Sequence, residues 1–271
     1  MRPSRTGAEP STKRPSRTAW AAAWLEEAFV SGAPLARLPD DLRPRTPAEG
    51  YRAQARLVAA LGIPVGGWKI GCTSAAARAI LGARGPFAGR VLAPRILASG
   101  AALPGRALRT RGLEPEIAVT LARDLPPRAE PYGTAEVADA IATFHPAIEV
   151  VEPRWDRWLE VGVPSVIADL GANGWLVLGE GTAPAALGDP LAVTVRMTVD
   201  GTAPVEGGAA AVDGGPVGAL TWLANHLRRS EGLRVGEVVS TGTCAGFVQA
   251  PAEAAATARF EGLGTVSLRF V

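Results

Sequence analysis

Glu114 and Glu116 stand two residues apart in RGLEPEIAVTLARD, residues 111–124. Read as a β-strand, this segment places Glu114, Glu116, Ala118 and Thr120 on one face and Pro115, Ile117, Val119 and Leu121 on the other. The apolar face can pack on a core while the opposite face projects two carboxylates, although a solvated strand end would look the same. A third acid, Glu149, lies inside the apolar run AIEVV of AIEVVEPRW, residues 147–155. A carboxylate buried there needs a cation, a proton or a metal, because an isolated buried charge is costly. A salt bridge to one of the many arginines would serve as well as a metal. Three glutamates drawn together repel one another. They also form the all-oxygen donor set that Mg²⁺ or Mn²⁺ takes, with positions left open for a chelating substrate.

The second unusual residue is basic. Only two of the 28 Lys and Arg residues are lysines. Lys13 lies in a polar N-terminal stretch, and Lys69 lies in GGWKIGCTS, residues 66–74, an apolar, glycine-flanked run. Two further segments, VVSTGTCAGF (238–247) and ADLGANGWLVLG (168–179), are strands joined to Gly-rich turns. The first offers backbone N–H groups and the Thr241 and Thr243 hydroxyls to an anion, or makes a tight structural turn. The second carries Asp169 and Asn173. His145, next to Pro146, and His226, in a helical stretch, read as structural, which disfavours zinc. Cys72 and Cys244 sit among small residues without a base nearby in sequence, and packing suits them better than nucleophilic catalysis.

These residues need elements to position them. Residues 1–18 contain RPSRT twice and hold five basic groups against Glu9, a composition expected to be disordered. Helices are expected over 19–32 and 46–62, the second with Thr46 as N-cap, Pro47 at the first helical position, Glu49 closing a capping box and Gly62 as the stop. From residue 66 short β-type runs alternate with Gly/Pro turns, interrupted by helical patterns at 134–144 and 216–232. The expected fold class is therefore α+β: a basic tail (1–18), a small helical N-terminal region (19–66) and a β-rich catalytic domain (67–271). Regular strand–helix alternation is absent and no GxGxxG opens a helix, so a dinucleotide fold is not supported.

Composition narrows the function classes. A chain of 271 residues with 47% hydrophobic and 20% charged residues suits a soluble globular protein. The net charge of +2 comes from the tail; without residues 1–18 the chain is net −2, so nucleic acid is not an expected partner. Two cysteines form no disulfide framework and fit a reducing cytoplasm. No apolar run nears the ~20 residues that span a membrane, and the N-terminus does not read as a secretory signal.

The order GWKIGCTS, LEPEIAV, PAIEVVEPRW, IADLGANGWLVLG, STGTCAG and ARFEGLGTVSLRF resembles the 2-keto-4-pentenoate hydratase and 4-oxalocrotonate decarboxylase group of the fumarylacetoacetate hydrolase superfamily. The likeness covers roughly residues 19–271. It implies a β-roll-like core, a divalent ion (Mg²⁺ or Mn²⁺) held by Glu114, Glu116 and Glu149, and an active-site lysine at Lys69. A lysine can carry a proton in catalysis, whereas arginine stays protonated; burial would lower the Lys69 pKa and neighbouring carboxylates would raise it, which leaves its protonation state open. Thr73, Ser74, Asp169, Thr241 and Thr243 are implied contacts of a small unsaturated 2-oxo acid that is hydrated or decarboxylated through a chelated enolate. The resemblance further implies a homo-oligomer; a non-catalytic partner subunit is the rival reading. The chain departs from the group's pattern at GPFAG (85–89), where Phe87 replaces a common Asp, and at Arg78, which stands near a common Gln. These departures leave decarboxylation and acylpyruvate C–C hydrolysis open beside hydration.

Overall fold

The computed structural model describes residues 16–271, so most of the expected basic tail lies outside the described residues. The helices are α1 (Arg17–Ser31), α2 (Pro47–Leu61), α3 (Ala75–Leu81), α4 (Thr134–Ala138), α5 (Val163–Ala168), α6 (Pro184–Leu187) and α7 (Gly215–Leu227). The strands run from β1 (Val65–Gly71), β2 (Phe87–Leu92), β3 (Ile96–Ala98), β4 (Ala101–Leu103) and β5 (Gly112–Leu121) to β6 (Ile141–Val151) and β7 (Asn173–Leu178). They continue with β8 (Thr194–Val199), β9 (Val205–Gly208), β10 (Val238–Thr243), β11 (Val248–Gln249), β12 (Ala255–Phe260) and β13 (Gly264–Phe270). The result is a mixed α+β architecture, as expected.

Helix α1 begins two residues before the expected start, because the Ser16 side chain accepts from the Ala19 N–H and caps it. In α2, Thr46 accepts from the Glu49 N–H. Glu49 reaches back one residue further than a capping box requires, to the Arg45 N–H at 2.7 Å. Gly32 and Gly62 end the two helices in the left-handed conformation. The small and apolar faces of α1 and α2, including Ala21, Leu25, Ala53 and Leu57, bury against α5 and Trp155.

The expected helix over 134–144 is a correction. It stops at Ala138, and β6 begins at Ile141. The alanines suit a helix, but Ile141, Thr143 and Phe144 favour a strand, and Pro146 disfavours helical backbone at His145. Strand β6 then pairs antiparallel with β5 along its length, from Leu121 opposite Ile141 to Gly112 opposite Val151. Non-local pairing outweighs local helix propensity here. His145 therefore lies on a strand, with Nε2 between the hydroxyls of Thr143 and Thr120 and Nδ1 at the Gly179 carbonyl.

Two sheets make the body. The larger has the order β2-β1-β10-β5-β6-β7-β3, with β11 also paired to β5. The second has the order β4-β13-β12-β8-β9. In the second sheet β8 and β12 alternate exposed and buried residues, the pattern of an antiparallel sheet with one wet face. Its inner residues, among them Phe260, Val266 and Leu268, join Ile117, Val119 and Ile148 of the larger sheet in one apolar cluster. The N-terminal helices cover a second cluster, which includes Phe87 and Leu170. The central strands of the larger sheet are thus largely enclosed, and the polar side chains of Lys69, Glu116, Glu149 and Ser240 on them are buried.

Candidate metal centre

Register brings the acids together. Glu114 on β5 is directly opposite Glu149 on β6. Glu116, two residues along the same face of β5, is opposite Thr243 on β10. Lys69 on β1 is opposite Ser240 on β10. Four adjacent strands, β1, β10, β5 and β6, therefore carry one amine and three carboxylates. One oxygen from each of Glu114, Glu116 and Glu149 lies within 4.8 Å of the other two. Lys69 Nζ is 3.2 Å from Glu149 Oε2. Lys69, Glu116 and Glu149 are buried, while Glu114 keeps partial exposure.

Each carboxylate is held differently. Glu116 Oε2 accepts from the Ser240 hydroxyl and, at 2.8 Å, from the Gly242 N–H. Both donors reach it because β10 shifts register between Ser240 and Thr243. Gly242 sits at φ +106°, and a Cβ there would lie 1.9 Å from Thr73 Oγ1. Only glycine fits this approach. Glu149 Oε1 accepts from Asn173 Nδ2 at 2.9 Å. Its buried Oε2 faces Lys69 as an ion pair but accepts no aligned hydrogen bond. An orphaned carboxylate oxygen beside two further acids fits a hard divalent cation. With all three carboxylates ionised and the amine charged, two negative charges would remain for such an ion to balance.

The electrostatics agree. Burial pushes Glu114 up to about 7, with Lys69 opposing and Glu149 adding to the shift. Burial, then the charges of Glu149 and Glu114, hold Glu116 well above the ordinary carboxylate range. Burial pulls the Lys69 ammonium down, but the summed charges of Glu149, Glu114 and Glu116 outweigh it and the net shift is upward. That direction favours a charged amine, a point the sequence left open.

The five expected substrate contacts divide. Thr73 is buried beside Gly242, and no hydrogen bond of its hydroxyl is seen among the described residues. Ser74 caps α3 by accepting from the Ala77 N–H at 3.2 Å. Thr243 is partly exposed and donates to the Gly246 carbonyl. Thr241 is fully buried, and its hydroxyl donates to the Ile117 carbonyl at 2.6 Å, so it serves the β10–β5 contact.

Asp169 requires a correction. It is fully buried and both its oxygens are engaged by Arg154, Oδ2 through the backbone N–H and Oδ1 through Nε. Arg154 also donates to the carbonyls of Asp169, Glu152 and Asn173. Asp169 therefore acts through Arg154 on Asn173, the residue that orients Glu149. Its sequence context, a polar residue before a Gly-rich turn, did not distinguish a ligand contact from this buried bracket.

Two supporting residues, Ser240 and Glu152, were not singled out from sequence, and Asn173 was noted only for its place before a strand. Ser240 and Asn173 hydrogen-bond the acids directly. Glu152 accepts three backbone N–H bonds, from Arg109, Thr110 and Arg111, and so fixes the entry into β5. The available signal was the cost of polar residues in buried strands, which demands partners. Phe87 is buried, with its ring centroid 5.8 Å from Lys69 Nζ. Cys72 and Cys244 are buried thiols, pushed up by burial to about 11 and about 12. Neither is an activated nucleophile.

This fold and centre place the chain in a known class. Residues 88–271 match the family described as fumarylacetoacetate (FAA) hydrolase C-terminal, and the chain belongs to that family. Among its relatives, a 2-keto-4-pentenoate hydratase of Burkholderia vietnamiensis is 34% identical over 255 residues, 92% of this chain and 95% of the relative. A 2-hydroxyhexa-2,4-dienoate hydratase of Comamonas testosteroni is 32% identical over 256 residues, covering 91% and 94%. The solved 4-oxalocrotonate decarboxylase of Pseudomonas putida G7, complexed with magnesium and adipate, superposes with a TM-score of 0.85 at 26% identity, covering 94% of this chain and 97% of that one.

Proposed function

We propose that this protein is a divalent-cation-dependent lyase acting on a small unsaturated 2-oxo acid, of the 2-keto-4-pentenoate hydratase type. One observation carries the reading: three carboxylates from two strands meet within 4.8 Å of one another beside a buried amine. Glu114, Glu116 and Glu149 would hold the ion, Mg²⁺ or Mn²⁺. When bound, the ion supplies Lewis acidity to the carboxylate and 2-oxygen of the substrate. Ser240, Gly242 and Asn173 fix the direction of two of the three carboxylates before any substrate arrives. Thr73, Ser74 and Thr243 are the residues proposed to receive the substrate carboxylate. Lys69 holds the proton that moves between substrate oxygen and carbon. Phe87 supplies no acid beside Lys69, so the proton-transfer work is assigned to Lys69 alone.

The hydratase relatives support water addition. The superposition on the decarboxylase favours a second reading, loss of CO₂ from an oxalocrotonate-type acid. Incubation of 2-hydroxypenta-2,4-dienoate and 2-oxohex-3-enedioate with the protein, with and without Mg²⁺, separates them by ultraviolet loss and CO₂ release. Metal-dependent loss of the pentadienoate signal without CO₂ is expected, and Glu116→Ala should abolish it. Failure to turn over any 2-oxo acid with metal present would sink the enzyme reading and leave the non-catalytic subunit. No described helix is long and apolar enough to cross a membrane. A cytoplasmic homo-oligomer is the finer expectation, testable by light scattering on the purified chain.

A further inference from the structure

Glu114 is the only member of the charged quartet that retains partial exposure. Glu114 also lines a surface cavity beside the centre. That cavity has a volume of about 450 Å³, in the range of small-molecule sites. Its apolar walls come from three separated segments: Ile80 and Leu81 of α3, Trp158 and Leu159 of the turn after β6, and Phe247 of the turn after β10. Ile80, Leu159 and Phe247 are 69%, 49% and 43% exposed, among the most exposed large apolar side chains described. Clustered exposed apolar residues at the mouth of a charged site mark a surface that an apolar group covers.

The charged groups on this wall are one cation, Arg109, and two acids, Asp156 and Glu114. Arg109 is the only cation there, and its two Nη atoms donate to the carbonyls of Gly32 and Pro153, each at 3.0 Å. Asp156, exposed on the same wall, opposes its charge. Thr110 and Gln249 are neutral. A carboxylate at the far end of a substrate would lose water here and meet no free partner, whereas an alkyl or aryl group would bury apolar surface.

We infer that the cleft outside Glu114 is the subsite for the far end of the 2-oxo acid, and that it selects an uncharged apolar substituent, alkyl or aryl, over a second carboxylate. This rests on the proposed 2-oxo acid chemistry of the site. It separates substrates by their tails: monocarboxylic acids with a hydrocarbon end fit and dicarboxylic ones do not. Ile80 and Leu159 are the specificity-determining positions, since both are exposed and neither holds the carboxylates.

The test is calorimetric binding of 2-oxopentanoate, 4-phenyl-2-oxobutanoate and 2-oxoadipate to the full chain in Mg²⁺. The phenyl compound should bind at least about tenfold more tightly than 2-oxoadipate, from its buried ring surface. Ile80→Ser should weaken the phenyl compound several-fold and leave 2-oxopentanoate unmoved. Leu159→Arg should shift the ranking toward 2-oxoadipate. Equal or tighter binding of 2-oxoadipate by the unaltered protein overturns the inference while the 2-oxo acid reading stands. So does a Leu159→Arg protein that keeps the ranking but changes its oligomeric state, because the apolar wall is then a contact between copies. If no 2-oxo acid binds, the proposed function falls, and this inference falls with it.

Discussion

Lys69 and Glu149 form a pair in which the two roles of a charge can be separated. The amine balances a buried carboxylate, and it is also the proposed proton carrier. Lys69→Met removes the balance and should destabilise the fold by about 3–5 kcal/mol, the usual cost of stranding a buried charge. Lys69→Arg keeps a cation opposite Glu149 but cannot release its proton at working pH. It should unfold at a urea concentration closer to that of the parent than Lys69→Met does, while turnover falls by about 10²–10⁴-fold. A Lys69→Arg protein with near-parental turnover would reduce the lysine to a point charge. Glu116→Gln belongs to the same scale. It keeps the shape and can still accept from Ser240 and Gly242, but loses the charge a cation needs. Thermal scans with Mn²⁺ should show a rise in Tm for the parent and none for the variant.

At the scale of elements, the centre depends on two backbone devices. The shift in β10 aims Ser240 and Gly242 at Glu116, and the Asp169–Arg154 bracket holds the start of β7, where Asn173 meets Glu149. Gly242→Ala places a Cβ against Thr73 at a positive φ. Strain and overpacking together should cost about 2–4 kcal/mol, and the variant should bind Mn²⁺ more weakly because the Gly242 N–H moves off Glu116. Arg154→Leu leaves Asp169 buried without its partner and should cost about 3–5 kcal/mol. The double variant Arg154→Leu with Asp169→Leu should recover part of that loss in chemical denaturation, although Asn173 would no longer be tied through its carbonyl. No recovery would show that Arg154 acts mainly through the carbonyls it binds.

At the scale of the whole molecule, the site lies in the larger sheet, buried except at Glu114. The larger sheet supplies the acids, the second sheet covers one face, and the N-terminal helices close the other side around Phe87 and Leu170. Metal binding and global stability should therefore be coupled. An ion that binds the folded chain alone at a hundred times its Kd adds about 2.7 kcal/mol. Removal of divalent ions by EDTA should accordingly lower Tm, and readdition of Mg²⁺ or Mn²⁺ should restore it. A Tm indifferent to both would show that the carboxylates are satisfied by Lys69 and protons.

The acidic strands were legible because their patterns are local. Alternation in 111–124 placed Glu114 and Glu116 on one face, and the apolar neighbours of Glu149 announced a buried charge in need of a partner. The capped helix α2 was legible for the same reason, since Thr46, Pro47 and Gly62 act within a few residues of one another. Residues 139–144 were misread because their alanines are consistent with either state until β5 is alongside. Asp169 was misassigned because nothing near it in sequence shows that Arg154, fifteen positions away, folds back onto it. The sequence by itself determined which residue types were available and which faces were apolar. Only the tertiary structure decided which of those residues meet, because strand register and the burial that strips their water are set by partners far along the chain.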